Sequence, residues 1–133
     1  MTRPANLHLD ILPHRLAVCR LPPDHPVPGW VDRLSFWSMT RTADELSIVL
    51  PEEAASPQWR QETGWRVLKV RGPLEFGLIG VLAQLTVALA AGGVTVFVLS
   101  TFDTDYVMVR DHDLASATRA LTGAGCTVAG ARG

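Results

Sequence analysis

Lysine is nearly missing: Lys69 is the single one among 133 residues. With 12 basic residues against 13 acidic ones, a net charge of -1 and no basic run, the chain lacks the footprint that nucleic acid or an anionic membrane surface requires. Cysteine is also scarce. Cys19 and Cys126 lie far apart without metal-type spacing and read as small buried hydrophobes in a reducing compartment. A secretory signal is not read either, because Asp10, Pro13 and His14 interrupt the first apolar run, and a cytoplasmic location is expected. Charge of any sign is thin at 19%, against 47% hydrophobic residues. That balance argues against disorder and for one compact unit or two very small ones.

The thinnest region is the stretch from Phe76 to Phe102, which holds no charged residue. A membrane span needs about 20 residues of continuous helix. Here Gly92-Gly93 interrupts the run, and a β-branched, period-two segment follows. A buried helix of about 13 residues and then a central strand account for the same composition.

Eight of the nine prolines fall at or before Pro57, and nine of the eleven glycines follow Gly64. The chain changes character there, and two domains are expected, 1–63 and 64–133. In the first, strands are predicted at Arg15–Leu21, bounded by Pro13, and at Leu46–Leu50, with further candidates at Phe36–Thr42 and Leu7–Ile11. In the second, Trp65–Arg71 is a strand and Leu78 through Ala90 follow helical spacing. Val94–Leu99 and Tyr106–Arg110 form a hairpin around Thr101–Asp105. Asp111 or Asp113 caps a helix with the stripe Leu114, Ala117, Thr118 and Leu121, and Thr127–Ala129 ends the chain as a strand. The order is βαββαβ, which predicts an α+β fold: a four-stranded antiparallel sheet with two helices on one face, the ferredoxin-like arrangement.

The first half carries a fainter version of the same pattern. Arg15–Arg20 parallels Arg66–Arg71, and Thr40–Asp44 precedes its strand much as Thr101–Asp105 does. A tandem pair is therefore expected, the first copy degenerate, with short helices and a stub near Trp30–Arg33.

No enzyme motif is present, and no cofactor is expected. His8, Asp10 and His14 straddle a proline and are better read as polar turn residues than as metal ligands. Asp111-His112-Asp113 is explained by helix capping, and Asp103 and Asp105 by turn formation. The tryptophans Trp30, Trp37, Trp59 and Trp65 are read as core and seam. One segment offers more. Gly72 to Gly80 joins a strand to a helix whose N-terminal N–H groups suit a carboxylate. The adjacent strand end, Ser100-Thr101-Phe102 with Asp105 beyond, supplies hydroxyl and backbone groups and a carboxylate for an ammonium. Two readings stand, a zwitterion site or glycines that only permit tight packing.

Gly80-Val81, Ala90-Ala91-Gly92-Gly93-Val94 and Ser100-Thr101 resemble the ACT domain, above all in aspartate kinase regulatory domains. Asp44–Val49, Gly64–Arg66 and Ser100–Val107 look like small stand-alone bacterial tandem-ACT proteins, which are similar to the ACT domains of the animal cytosolic arginine sensor. The resemblance implies a non-catalytic module that binds an amino acid and works as a homodimer, with ligand contacts at Gly80, Val81, Thr101, Phe102 and Asp105 and with Ser100 and Glu75 beside them. The position two before the helix-opening glycine, acidic in the arginine-sensor relatives, is Leu78 here, with Glu75 out of register. The alternatives are an interaction module without a ligand, its pocket closed by Leu78 and Phe102, and a regulatory partner of an amino-acid biosynthetic enzyme such as aspartate kinase.

Overall fold

The computed structural model describes residues 7–72 and 80–130. Seven strands and two α-helices follow in order: β1 (His8–Leu21), β2 (Ser38–Arg41), β3 (Leu46–Pro51), β4 (Arg60–Val70), α1 (Val81–Ala91), β5 (Val96–Ser100), β6 (Asp105–Arg110), α2 (Leu114–Gly123) and β7 (Thr127–Gly130). The chain forms two compact units. One is His14–Trp65, and the other combines Met1–Pro13 with Arg66–Gly133. The change within β4 falls close to the composition break at Gly64. The first strand is divided differently from the expected 1–63 unit, since its opening residues belong to the larger unit.

In the larger unit the strand order is β7-β1-β4-β6-β5. The expected sheet has four antiparallel strands, but the opening half of β1 adds a fifth. It lies next to β7 and pairs with it in parallel, His8 opposite Thr127 through Ile11 opposite Gly130. The physical reason is burial. Leu9 and Ile11 alternate inward and join Leu68, Val70, Val107 and Val109 in one apolar cluster, which α1 covers with Leu85 and Leu89 and α2 with Leu114, Ala117 and Leu121. Between them, Asp10 accepts two hydrogen bonds from Arg71, at 2.7 and 3.1 Å. Pro13, expected to bound a strand, lies inside β1. It falls between the pairing with β7, which ends at Ile11, and the pairing with β3, which begins at Leu16, where a missing N–H leaves neither ladder short.

Both helices stop in the same way. Val94 N–H reaches back to the Leu89 carbonyl and Gly93 N–H to that of Ala90, each at 3.0 Å, with Gly93 at φ +75°. At the end of α2, Cys126 N–H bonds the Leu121 carbonyl and Gly125 N–H that of Thr122, with Gly125 at φ +99°. This is the Schellman closure, and its apolar residues, Leu89 with Val94 and Leu121 with Cys126, are all buried. The expected side-chain cap on α2 is not formed: Asp113 makes no capping bond, and Asp111–Asp113 is a 3-10 turn. Asp111 instead pairs at 3.3 Å with Arg66, a guanidinium buried to 1% exposure. Among the described residues the uncharged stretch holds an 11-residue helix and the 5-residue β5, which ends the strand order and is thus an edge strand, not the central one expected. Among the described residues no helix is long and apolar enough to cross a membrane.

In the smaller unit the order is β2-β3-β1-β4. Ala17, Cys19, Leu21, Leu46, Ile48 and Leu50 form its core, with Trp30 stacked on Trp59 at 6.3 Å. The stub helix is a single 3-10 turn, Val31–Arg33. Trp37 departs from the expected packing role: it is 40% exposed, because β2 begins only at Ser38.

Gly93→Ala and Gly125→Ala are each expected to lower the unfolding free energy by about 1–2 kcal/mol, the cost of left-handed backbone for a residue with a Cβ. Gly123→Ala, within α2 and with open space around its Cβ position, should instead raise it by about 0.5–1 kcal/mol. Urea denaturation measures all three. The Arg71 guanidinium holds the Asp10 carboxyl below its usual value of 3.8. That contribution is complete above the unfolded value and is lost as pH falls through the lower, folded one. Asp10→Asn should therefore differ from wild type in melting temperature at neutral pH, and the difference should shrink below about pH 4.

Candidate functional site

The expected site residues fall on two structural features of the larger unit. Ser100, Thr101, Phe102 and Asp105 share the β5–β6 hairpin. Gly80 and Val81 open α1. Glu75 and Leu78 lie outside the described residues.

The hairpin turn is defined by threonine. Thr101 N–H donates to the Thr104 carbonyl at 2.8 Å, and the Thr101 hydroxyl accepts from Thr104 N–H at 3.3 Å. The Thr104 hydroxyl, at 4% exposure, donates at 2.6 Å to the carbonyl of Val70, the last residue of β4. The turn is thereby fastened to the strand end from which the chain leaves toward α1. Ser100 and Asp105 face each other across the ladder, and the Ser100 hydroxyl donates to Asp105 Oδ1 at 2.6 Å. Asp105 is half-buried; Asp103 and Phe102 are exposed. Phe102 is 79% exposed, and Leu78, expected to close the pocket with it, lies outside the described residues.

At the other feature, Gly80 occupies the N-cap of α1 at φ +83°, and its carbonyl receives Gln84 N–H at 2.9 Å. That φ favours glycine. No side chain among the described residues caps this helix start, and its first turn carries no acidic residue. The following N–H groups have no intrahelical acceptor and form a partial positive end suited to an anion.

The other sequence candidates are occupied by structural duties. Asp10 is engaged by Arg71, the His14 ring contacts Phe36 at 5.4 Å, and Asp111 pairs with Arg66. Among the described residues no three metal-type side chains form a cluster. Burial pushes the Cys19 thiol up to about 11 and raises that of Cys126, so neither is a thiolate nucleophile at neutral pH. Sequence reasoning misses Thr104, whose neighbours are the expected contacts: it lies in the turn ahead of β6, out of phase with the inward Val107 and Val109, so alternation gives no signal of its burial. It also misses the buried Arg66, for which no local signal exists.

The second hairpin repeats this turn. Thr42 N–H donates to the Glu45 carbonyl at 2.9 Å, and the Thr42 hydroxyl accepts from Glu45 N–H at 3.3 Å. The flanking pairs correspond as well: Arg41 opposite Leu46 stands where Ser100 opposite Asp105 stands.

The sequence profile of the ACT domain matches residues 60–123, the span that holds β4, α1, β5, β6 and α2. That match takes in just under half of the chain. A separate profile, for an N-terminal domain, matches residues 14–58. Among individual proteins, the chain is similar to one from Agrobacterium tumefaciens whose crystal structure superposes with a TM-score of 0.88, at 34% identity over 95% of this chain and 94% of that one. It is 28% identical over 137 residues to the bovine cytosolic arginine sensor for mTORC1, subunit 1, covering 86% of this chain but only 42% of that protein's length. The ligand-free regulatory subunit of aspartate kinase from Thermus thermophilus shares the fold, with a TM-score of 0.60 at 13% identity over 84% of this chain and 93% of that one.

Thr104→Val should lower stability by about 1–3 kcal/mol, because the Val70 carbonyl loses a buried donor. Thr104→Ser, which keeps the hydroxyl, should lose clearly less. Chemical denaturation of the two variants separates the hydrogen bond from the methyl packing.

Proposed function

We propose that this chain is a non-catalytic regulatory module that binds a free amino acid between the β5–β6 hairpin and the start of α1. The observation that carries this reading is the Ser100–Asp105 pair. The hydroxyl holds one carboxylate oxygen at 2.6 Å and orients the group, leaving the other oxygen for a ligand ammonium. The open N-terminus of α1, with Gly80 and Val81, receives the carboxylate, and Thr101 and Phe102 border the hairpin side. Glu75 belongs to the same proposed site. The kinship with an arginine sensor and with an aspartate kinase regulatory subunit supports an amino acid as ligand and regulation as the role.

The smaller unit, His14–Trp65, is, in this reading, a degenerate ACT copy, the boundary between copies lying near the expected division into 1–63 and 64–133 while the opening strand serves the second copy. The matching threonine turns and ladder registers support a duplication. Its site is lost, since Leu46 replaces the carboxylate and Arg41 the hydroxyl. The module acts in the cytoplasm as a homodimer without cofactor, and an amino-acid biosynthetic enzyme such as aspartate kinase is the class of protein it would regulate. A second reading, a pairing module without ligand, is favoured by the exposure of Phe102 and of Val87 on α1.

A thermal-shift screen of the twenty amino acids decides between them. A hundredfold excess over Kd should stabilise the chain by about 2.7 kcal/mol, and Asp105→Asn should abolish that shift. Silence from all twenty at millimolar concentration removes the sensing reading. A hit that survives Asp105→Asn keeps the function but moves the site.

A further inference from the structure

The smaller unit contains a cleft that the amino-acid reading does not use. Its volume is about 210 Å³, and its walls come from Val27 and Pro28 of the connecting loop, Val31 and Asp32 of the 3-10 turn, Trp37, and Met39 of β2. The volume is below the roughly 300–1,000 Å³ of pockets for drug-sized ligands, so a fragment-sized molecule is its natural occupant.

The walls are held before any ligand arrives. The loop contains Pro22, Pro23, Pro26 and Pro28, each with a fixed φ. Arg41, on β2, donates from Nη1 to the Pro23 carbonyl and from Nη2 to the His25 carbonyl, the latter at 2.8 Å. Val31 N–H closes the end of the loop on the Pro28 carbonyl at 3.2 Å. A guanidinium thus fastens the loop to the strand that carries Met39.

The chemistry of the lining is one-sided. Trp37 and Val27 are 40% and 43% exposed, an indole and an isopropyl group left partly in water within a concave wall. Asp32 is exposed, and among the described residues its carboxylate has no hydrogen bond or ion pair. An indole face attracts cations, and a carboxylate on the same wall adds charge. We infer that this cleft is a second ligand site, selective for a small amphipathic cation: an ammonium head set against Asp32 and Trp37, with a short alkyl stem on Val27, Val31 and Met39. The site is independent of the hairpin site and of any reading of it. Because its charged group is exposed, its affinity lies in the millimolar range.

The test uses the full chain labelled with ¹⁵N, with the Trp37 indole N–H resonance assigned by its loss in Trp37→Phe. Butylammonium chloride, butanol and sodium butyrate are titrated at constant ionic strength. Expected are a saturable millimolar shift of the Trp37 resonance with butylammonium and at least tenfold weaker responses with butanol and butyrate. Asp32→Asn, a change at an exposed position, should weaken butylammonium at least fivefold while the rest of the spectrum is retained. Absence of saturation overturns the proposal. So does equal binding of butanol, which reduces the cleft to an apolar crevice, or unchanged affinity in Asp32→Asn.

Discussion

Everything after α1 in the larger unit is placed by the way its helices stop. In each case one backbone N–H, that of Val94 or Cys126, must reach back five residues, and a glycine must turn left-handed to allow it. The closure reverses the chain within a few residues and feeds an apolar residue directly into the core beneath the helix just ended. The first reversal launches β5, whose register with β6 is then set by the Thr101–Thr104 turn that joins them. The second launches β7 and brings Gly130 so close to Ile11 that a Cβ there would lie 2.5 Å from the Ile11 carbonyl oxygen.

The candidate site is a product of that register. Ser100 and Asp105 are opposed because they are the last pair of the β5–β6 ladder, and their turn is fixed by Thr101 within itself and by Thr104 to Val70. A carboxylate at a strand end would ordinarily be free to swing. Here a hydroxyl of the facing strand holds it, and a buried hydroxyl of the turn holds the strand ends. The smaller unit shows the same turn with Arg41 and Leu46 in place of Ser100 and Asp105, so the turn does not depend on that pair.

Much of this was legible in the sequence. Gly92-Gly93 and the β-branched run after it announced the helix stop, and the Thr101–Asp105 phrase announced the hairpin, because turn chemistry and periodicity are local. The stub at Trp30–Arg33 was legible for the same reason. The parallel pairing of β1 with β7 was not, since nothing in either segment encodes a partner at the far end of the chain. Pro13 was misleading: a proline inside a strand is tolerated where the strand changes partners, and only the topology shows where that is. Asp111 looked like a cap and proved to be the counter-ion of Arg66, a contact between β4 and the turn before α2 that local rules do not anticipate. Trp37 was expected inside on grounds of size, but its place ahead of β2 leaves it partly in water.

The pairing of His8–Ile11 with Thr127–Gly130 also bears on the order in which the protein can be made. The His14–Trp65 unit is continuous in sequence and has all its own strands once its last residues are synthesised. The larger unit has no such freedom. Its strand β1 precedes, and its parallel neighbour β7 follows, every other strand of the unit. During synthesis at about 5–20 residues per second, the edge of β1 awaiting β7 stays unpaired on that side while residues 12–126 are made. An unpaired edge invites other strands, and the alternating Asp10 and its Arg71 partner set charge against that exposure while the chain is completed.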